Sequence, residues 1–145
     1  MEVLIFKVNK TAFGIDTKQV IEIVNKLEIS KTPELSGDDS NLGVIDGLVN
    51  VREEIIKQIG LEKLLFNNEN KSASLSIICR TENKNYISLR VEEIVRLYNV
   101  KDTELIPTDG MISSVDNLVY SYINLKNNMI VQLLDVDSII KRINS

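Results

Sequence analysis

Apolar and polar residues alternate in short runs along most of the chain, and turn-forming residues separate the runs. The first run, Val3 to Val8, is followed by Asn9 and Lys10 and then by Ala12 to Ile15, which is the order of a β-hairpin. A period of two places successive side chains on opposite faces of a strand. The opening of the chain is therefore predicted to be a strand pair.

Later runs repeat this pattern. Leu75 to Arg80 and Tyr86 to Val91 predict a second hairpin, and Glu92 to Val100 continues as a further strand. Leu118 to Leu125 and Met129 to Val136 predict the last strand pair, after which a short helix ends the sequence. Many short strands, short helices and no alternation of strands with long helices indicate a mainly β fold, either a barrel or a sandwich, with two lobes.

The segment from Glu53 to Phe66 fits two structures. It contains strong helix formers, so a single helix from Glu53 is one interpretation. The other is a strand to about Ile59 followed by a helix over residues 61–66, and this is the one we expect. The polar residues 67–72 then predict a loop near the middle of the chain. We expect one domain over residues 1–145, with two β subdomains divided near residues 67–74.

The stretch from Val44 to Arg52 stands out as a candidate recognition surface. Gly47 would allow a turn or a close approach of the backbone to a neighbour. The residues after it suit a half-buried strand, and the period of two puts Asn50 and Arg52 on one face. A single arginine at the end of such a strand can offer a planar, bidentate cation to a partner.

Composition narrows the classes of function. The 17 basic residues are scattered among 21 acidic ones, for a net charge of −4, so binding of nucleic acid through its phosphates is not expected. The chain has no histidine and no tryptophan. Without histidine it lacks the usual general base at neutral pH, the Ser-His and Cys-His nucleophile pairs and the commonest ligand of catalytic zinc. These absences exclude much ordinary enzyme chemistry before any motif is considered.

The N-terminal residues predict neither a signal peptide nor a membrane anchor. An acidic second residue and the short apolar run Val3 to Phe6 come before Lys7, which is too little for a secretory or membrane-spanning segment. We therefore expect a cytoplasmic protein without direct membrane insertion. Cys79 lies inside an apolar run, where a buried, unpaired thiol is expected.

Asp135 and Asp137 are the residues that most resemble a catalytic pair. On a strand they would share one face, and they could then bind magnesium or serve as an acid and a base. Alternatively, one of them caps the terminal helix, since Ser138 and an apolar run follow directly. The cap is the interpretation we favour, and a metal-dependent carboxylate enzyme is the alternative.

The chain resembles the CheW-like domain of bacterial chemotaxis coupling proteins over nearly its whole length. Four segments in the family's order carry the resemblance: LIFKVNKTAFGIDTKQVIEIV at residues 4–24, VIDGLVNVREEI at 44–55, YISLRVEEIVRL at 86–97 and IVQLLDVDSII at 130–140. They are similar to the family's opening hairpin with its Val-x-Glu-Ile element, its Gly-x-x-Asn-x-Arg block, its Val-Asp-x-Val strand and its closing Leu-Leu-Asp strand. Together they identify a divergent member.

The resemblance implies a fold of two small SH3-like β-barrels packed side by side, with short helices that include a C-terminal one. It implies an adaptor with no enzymatic activity and no cofactor, which couples the cytoplasmic tip of a chemoreceptor to the regulatory domain of a histidine autokinase. The family's partner-binding positions fall on Val20, Glu22, Gly47, Asn50 and Arg52. The main alternative is a β-domain of the same fold that binds some other protein.

Several residues depart from the family's usual pattern. Loss of the proline at Lys57 would weaken the expected strand, and an anion at Glu53 could partly neutralise Arg52. The departures are Glu53 for glycine, Lys57 and Gln58 for proline and valine, Gly60 for aspartate, Ser88 for glycine, Arg90 for an apolar residue and Glu92 for aspartate.

Overall fold

The structure is a computed structural model that describes residues 1–30, 44–68, 73–107 and 118–144. Strands dominate these residues. In chain order the elements are β1 (Glu2–Val8), β2 (Thr11–Asp16), β3 (Val20–Asn25), β4 (Ile45–Val51), β5 (Glu54–Gly60), α1 (Leu61–Phe66), β6 (Leu75–Arg80), β7 (Tyr86–Val91), β8 (Glu93–Asn99), β9 (Leu105–Pro107), β10 (Val119–Leu125), β11 (Met129–Leu134) and α2 (Val136–Asn144). The described chain is therefore mainly β, as predicted.

The strands form two sheets, each curled into a small barrel. The six-stranded sheet has the order β8-β1-β2-β11-β10-β9, and the five-stranded sheet has the order β3-β6-β7-β5-β4. Most neighbours are antiparallel, and each sheet has one parallel pair, β2 with β11 and β5 with β7. We call the two units the six-stranded barrel and the five-stranded barrel.

The five-stranded barrel is an insertion in the six-stranded one. The chain leaves the six-stranded sheet after Asp16, makes β3 to β7, and returns at Glu93. This differs from the division expected near residues 67–74. That segment, of which residues 69–72 lie outside the described chain, connects α1 to β6, and β6 pairs with β7 in the same sheet as β5. The position of a polar loop in the sequence does not reveal which strands pair.

The largest apolar cluster lies between the two barrels. It joins Phe6 and Phe13 of the six-stranded sheet to Ile59 and Ile77 of the five-stranded sheet, together with buried residues of both helices. The Phe6 and Phe13 rings stack with centroids 6.2 Å apart. Because β1 also contributes Ile5 to a second buried cluster, both of its faces are covered, and the alternation in this strand does not mark a solvent side.

The ambiguous segment after Arg52 is a strand followed by a short helix. β5 covers Glu54–Gly60, and α1 covers Leu61–Phe66 with its last turn ended by Asn67 in the left-handed conformation. β5 is held by β4 on one side and by β7 on the other, so pairing on both edges outweighs the helix propensity of its residues. The expected strand and helix are thus confirmed.

Candidate functional site

A tight hairpin turn carries Arg52. Val51 pairs with Glu54 at the ends of β4 and β5, which leaves Arg52 and Glu53 as the connection. Both have positive φ, 53° and 68°. Two left-handed residues in succession are typical of a type I′ turn, whose twist suits antiparallel strands but which favours Asn and Gly. Arg52 is therefore held at the tip of a hairpin, one residue beyond the strand in which the sequence placed it.

The carboxylate that pairs with Arg52 belongs to Glu22, on β3. Its Oε1 lies 3.1 Å from Arg52 Nε, and the two side chains are 32% and 68% exposed. β3 and β4 are the outer strands of the five-stranded sheet. The ion pair thus spans the seam where that sheet closes into a barrel, and the structure joins two predicted site residues that are 30 positions apart in the sequence.

Gly47 closes the same seam. Its backbone has φ +155°, and a Cβ there would lie 2.5 Å from Ile29 Cγ2 and 2.7 Å from the Ser30 carbonyl oxygen. The close approach allows Leu48 and Ser30 to exchange backbone hydrogen bonds of 2.8 Å. This backbone contact between β4 and the segment that follows β3 depends on the missing side chain, so the structure gives Gly47 a supporting role.

The other two predicted residues differ in setting. Asn50 is exposed on β4, between the buried residues Val49 and Val51. Val20 is half-buried and packs against the apolar cluster between the barrels. Asn50 is thus available to a partner through its side chain, whereas Val20 supports the start of β3. Partner binding at all five positions stays a prediction.

Asp46 begins the site with a β-bulge. The register of β4 against β5 shifts between Ile45 and Gly47, which leaves Asp46 as the extra residue. Its carboxylate is nearly buried and pairs with Arg90 of β7, with Oδ2 2.9 Å from Nε and Oδ1 3.2 Å from Nη2. This ion pair was not predicted from the sequence, because Gly47, Asn50 and Arg52 were considered in this stretch and Asp46 was not.

Glu62 completes a buried ion cluster around Arg90. Its side chain, 1% exposed, pairs with Arg90 Nη2 from the first turn of α1. Gly60 makes the space, since a Cβ there would lie 2.9 Å from Arg90 Nη2 and 3.2 Å from Glu62 Oε1. Gly60 and Arg90, two departures from the family pattern, are also register partners in the parallel pair of β5 and β7. The glycine at position 60 therefore leaves the space that the arginine at position 90 occupies.

A second buried polar group explains two more departures. Ser76 Oγ and Ser88 Oγ both donate hydrogen bonds to Gln58 Oε1, over 2.7 and 2.8 Å. All three residues are buried, and Gln58 and Ser88 are register partners. The signal that would have found both groups was in the sequence: positions 58 and 60 depart together with 88 and 90, at the same spacing.

Asp135 caps α2. Its Oδ1 accepts a hydrogen bond from the Asp137 backbone N at 3.1 Å, and its Oδ2 accepts one from Ser138 Oγ at 2.9 Å. In the part of the chain that the structure describes, no three His, Cys, Asp or Glu residues are grouped so that they could hold a metal ion. The cap, and not a carboxylate site, is what these contacts form.

Cys79 on β6 is enclosed in the apolar cluster between the two barrels, and its burial was predicted from the sequence. Its side chain has no exposed area, and burial raises the pKa of the thiol to about 12. Such a thiol stays protonated at neutral pH and is a poor nucleophile. The helices within residues 1–30, 44–68, 73–107 and 118–144 are all too short or too polar to cross a membrane.

A family model for the CheW-like domain matches residues 2–144. The chain belongs to the CheW-like domain family. Its members' fold is also seen in the scaffolding protein TtCheW from Thermoanaerobacter tengcongensis, whose crystal structure superposes with a TM-score of 0.76 at 20% sequence identity and covers 92% of this chain and 88% of that one. No curated protein matches the sequence at a significant level.

Family membership confirms the resemblance inferred from the four segments and supports a chemotaxis scaffold or adaptor. The structural likeness supports two SH3-like barrels in one chain. The Glu22–Arg52 pair lies on the inserted five-stranded barrel.

Proposed function

We propose that this protein is a cytoplasmic, non-enzymatic adaptor that couples the cytoplasmic tip of a chemoreceptor to the regulatory domain of a histidine autokinase. The observation that carries the proposal is the Glu22–Arg52 pair at the barrel seam, in a chain that belongs to the CheW-like family. Glu22, Asn50 and Arg52 would contact one partner. Gly47 and Val20 would hold the strands that present them.

The exposed ion pair between Glu22 and Arg52 can open so that Arg52 contacts a bound protein instead. Ion pairs in water contribute about 0–1 kcal/mol, so breaking the contact between Glu22 and Arg52 costs little. When a partner surface excludes water, the same guanidinium gains a stronger interaction with a carboxylate or carbonyl oxygen. Its place at the tip of a rigid hairpin turn limits the entropy lost on binding.

Titration calorimetry against the kinase regulatory domain and the receptor tip from the same genome tests the proposal. We expect roughly micromolar affinity for at least one, as is usual for transient signalling contacts. Arg52→Glu should weaken binding of one partner about tenfold or more and leave the other within about twofold. Binding of neither partner by the parent protein would contradict the proposal.

Two controls separate recognition from folding. Arg96→Glu makes the same change of charge on β8, in the other barrel, and should bind as the parent does. The exchanged pair Glu22→Arg with Arg52→Glu keeps an ion pair across the seam but reverses the charges offered to a partner. We expect it to fold normally and to bind weakly. Normal binding by the exchanged pair would remove Glu22 and Arg52 from the interface.

The turn residue Glu53 supports the alternative function, a β-domain of the same fold that binds some other protein. A family adaptor with glycine at this position would present Arg52 without a neighbouring anion, and here the anion is beside it in the same turn. A β-domain with this surface could therefore bind a different protein. Binding restored to the kinase or receptor by Glu53→Gly favours the adaptor, and a gene placed outside any chemotaxis operon favours the alternative.

A further inference from the structure

The open end of the five-stranded barrel forms a mouth next to Arg52. By alternation along β6, Arg80 lies on the same face as Ile78, whose side chain is 1% exposed and points to the barrel interior. A cavity of about 370 Å³ opens there, with Val51, Ile56 and Ile78 among its walls. Because these walls are buried and apolar, a charged group at the mouth faces less water than one on an open surface.

The described lining of this mouth is rich in cations. Lys18, Arg52 and Arg80 line it together with the carboxylate Glu54. Arg52 is paired with Glu22. Among the described residues, no carboxylate lies within 4.0 Å of the charged atoms of Lys18 or Arg80. Two of the three cations at the mouth thus have no acidic partner among the residues that the structure describes.

Two arginines on the inner side of the five-stranded barrel differ in their acidic partners. Arg90, at one end, is matched by Asp46 and Glu62. Arg80, at the other end, is exposed and forms no ion pair with the described residues. Four carboxylates line a neighbouring cavity together with Arg80, but none of them forms an ion pair with it among the described residues, so its charge is available to another molecule.

We propose that the mouth of the five-stranded barrel receives a carboxylate side chain of the kinase regulatory domain between Arg80 and Lys18. The inference rests on the proposed function, since it names the chemistry that the adaptor's partner brings to this surface. The planar guanidinium of Arg80 would take the carboxylate bidentately, and Lys18 would add a second positive charge. Because Arg52 lines the same mouth, the acidic residue of the partner would lie next to the Glu22–Arg52 pair.

The first experiment uses the kinase regulatory domain from the same genome. Arg80→Glu should weaken binding about tenfold or more, mainly through a slower association rate, and the salt dependence of the dissociation constant should become less steep. Arg96→Glu, with the same change of charge on the other barrel, should match the parent protein. A parent that binds while Arg80→Glu binds equally well overturns the inference and leaves the proposed function in place.

The second experiment does not depend on the kinase. N-acetylglutamate methylamide is titrated into the protein, and the Nε–Hε signals of its arginines are followed by NMR, with the glutamine analogue as the matched uncharged probe. We expect the Arg80 signal to shift with the glutamate compound, to shift less with the glutamine compound, and the response to disappear in Arg80→Ala. Equal shifts with both compounds, or no shift at Arg80, would overturn the inference even if the kinase binds.

Discussion

The interiors of the two barrels differ in polarity. The cluster enclosed by the six-stranded barrel is apolar and includes Ile5, Ile123, Val131 and Leu133. The five-stranded barrel is apolar only near the mouth. Further in, it encloses two polar groups: one formed by Gln58, Ser76 and Ser88, the other by Arg90, Asp46 and Glu62.

This difference shows what the departures from the family pattern do. A buried ion pair contributes little net stability compared with apolar packing, but each charge is costly once its partner is gone. The residues at these positions fit one another: Gly60 makes space for Arg90, and Ser88 faces Gln58. The barrel that carries the candidate site has an altered but self-consistent interior. Its outer pair, Glu22 and Arg52, is kept.

The largest effect should come from Arg90→Leu, which brings back an apolar residue at one position alone. Asp46 and Glu62 then lose the guanidinium that compensates them. We expect the free energy of unfolding to fall by about 3–5 kcal/mol. Urea unfolding followed by circular dichroism measures it. Arg96→Leu, which removes an exposed arginine from β8, serves as the control and should stay within about 0.5 kcal/mol. A similar loss in both variants would show that the ion cluster has no special role.

A smaller loss is expected from Gln58→Val. The hydroxyls of Ser76 and Ser88 lose their acceptor inside the barrel, which should cost about 1–3 kcal/mol. The triple variant with Ser76→Ala and Ser88→Ala removes the donors as well. It should be more stable than the single variant, because no polar group is left unsatisfied. If the triple variant is the less stable one, the hydrogen bonds are not what Gln58 supplies.

Glu53→Gly should stabilise the protein by about 0.5–1 kcal/mol. Glu53 has φ 68°, and the left-handed conformation is unfavourable for a residue with a Cβ. A rise of a few degrees in the thermal midpoint is the expected readout. The same change at Glu54, which lies in β5 with extended backbone, should lower stability instead. Equal effects at both positions would argue against strain in the turn.

The reactivity of the Cys79 thiol reports on the five-stranded barrel, because Cys79 lies on β6. Burial and a pKa raised to about 12 should leave the thiol unreactive toward Ellman's reagent at pH 8 in the folded protein. Labelling should then follow the separation of β6 from the apolar cluster between the barrels. We expect faster labelling in Arg90→Leu than in the parent protein. Fast labelling of the folded parent would mean that β6 is accessible without unfolding.

Local pattern was sufficient for most of the strands. Leu75–Arg80 and Tyr86–Val91 have the predicted bounds, because alternation and flanking turn residues define a hairpin without knowledge of the rest of the fold. Sheet membership was not accessible in this way. Which strands pair across long stretches of sequence depends on burial of the whole chain, so the insertion of β3 to β7 appeared only in three dimensions.

The candidate site was predictable in its residues but not in its contacts. Glu22 and Arg52 were selected separately, and the distance between them requires the closed barrel. Glu53 was the expected ionic neighbour of Arg52, yet the ion pair in the structure is formed with Glu22 of β3. Arg90 was noted as a departure, but its two acids come from β4 and α1, which no local pattern connects to β7.

The insertion of the five-stranded barrel affects the order in which the two barrels can fold during synthesis. β3 to β7 leave the ribosome before β8 to β11, and N-terminal units usually fold first. The six-stranded sheet needs both ends of the chain, since β2 pairs with β11 through Phe13 and Gln132. We therefore expect the five-stranded barrel to be complete while β1 and β2 still wait for their last neighbours. A nascent chain that has emerged from the ribosome as far as Val91 would already present Arg52.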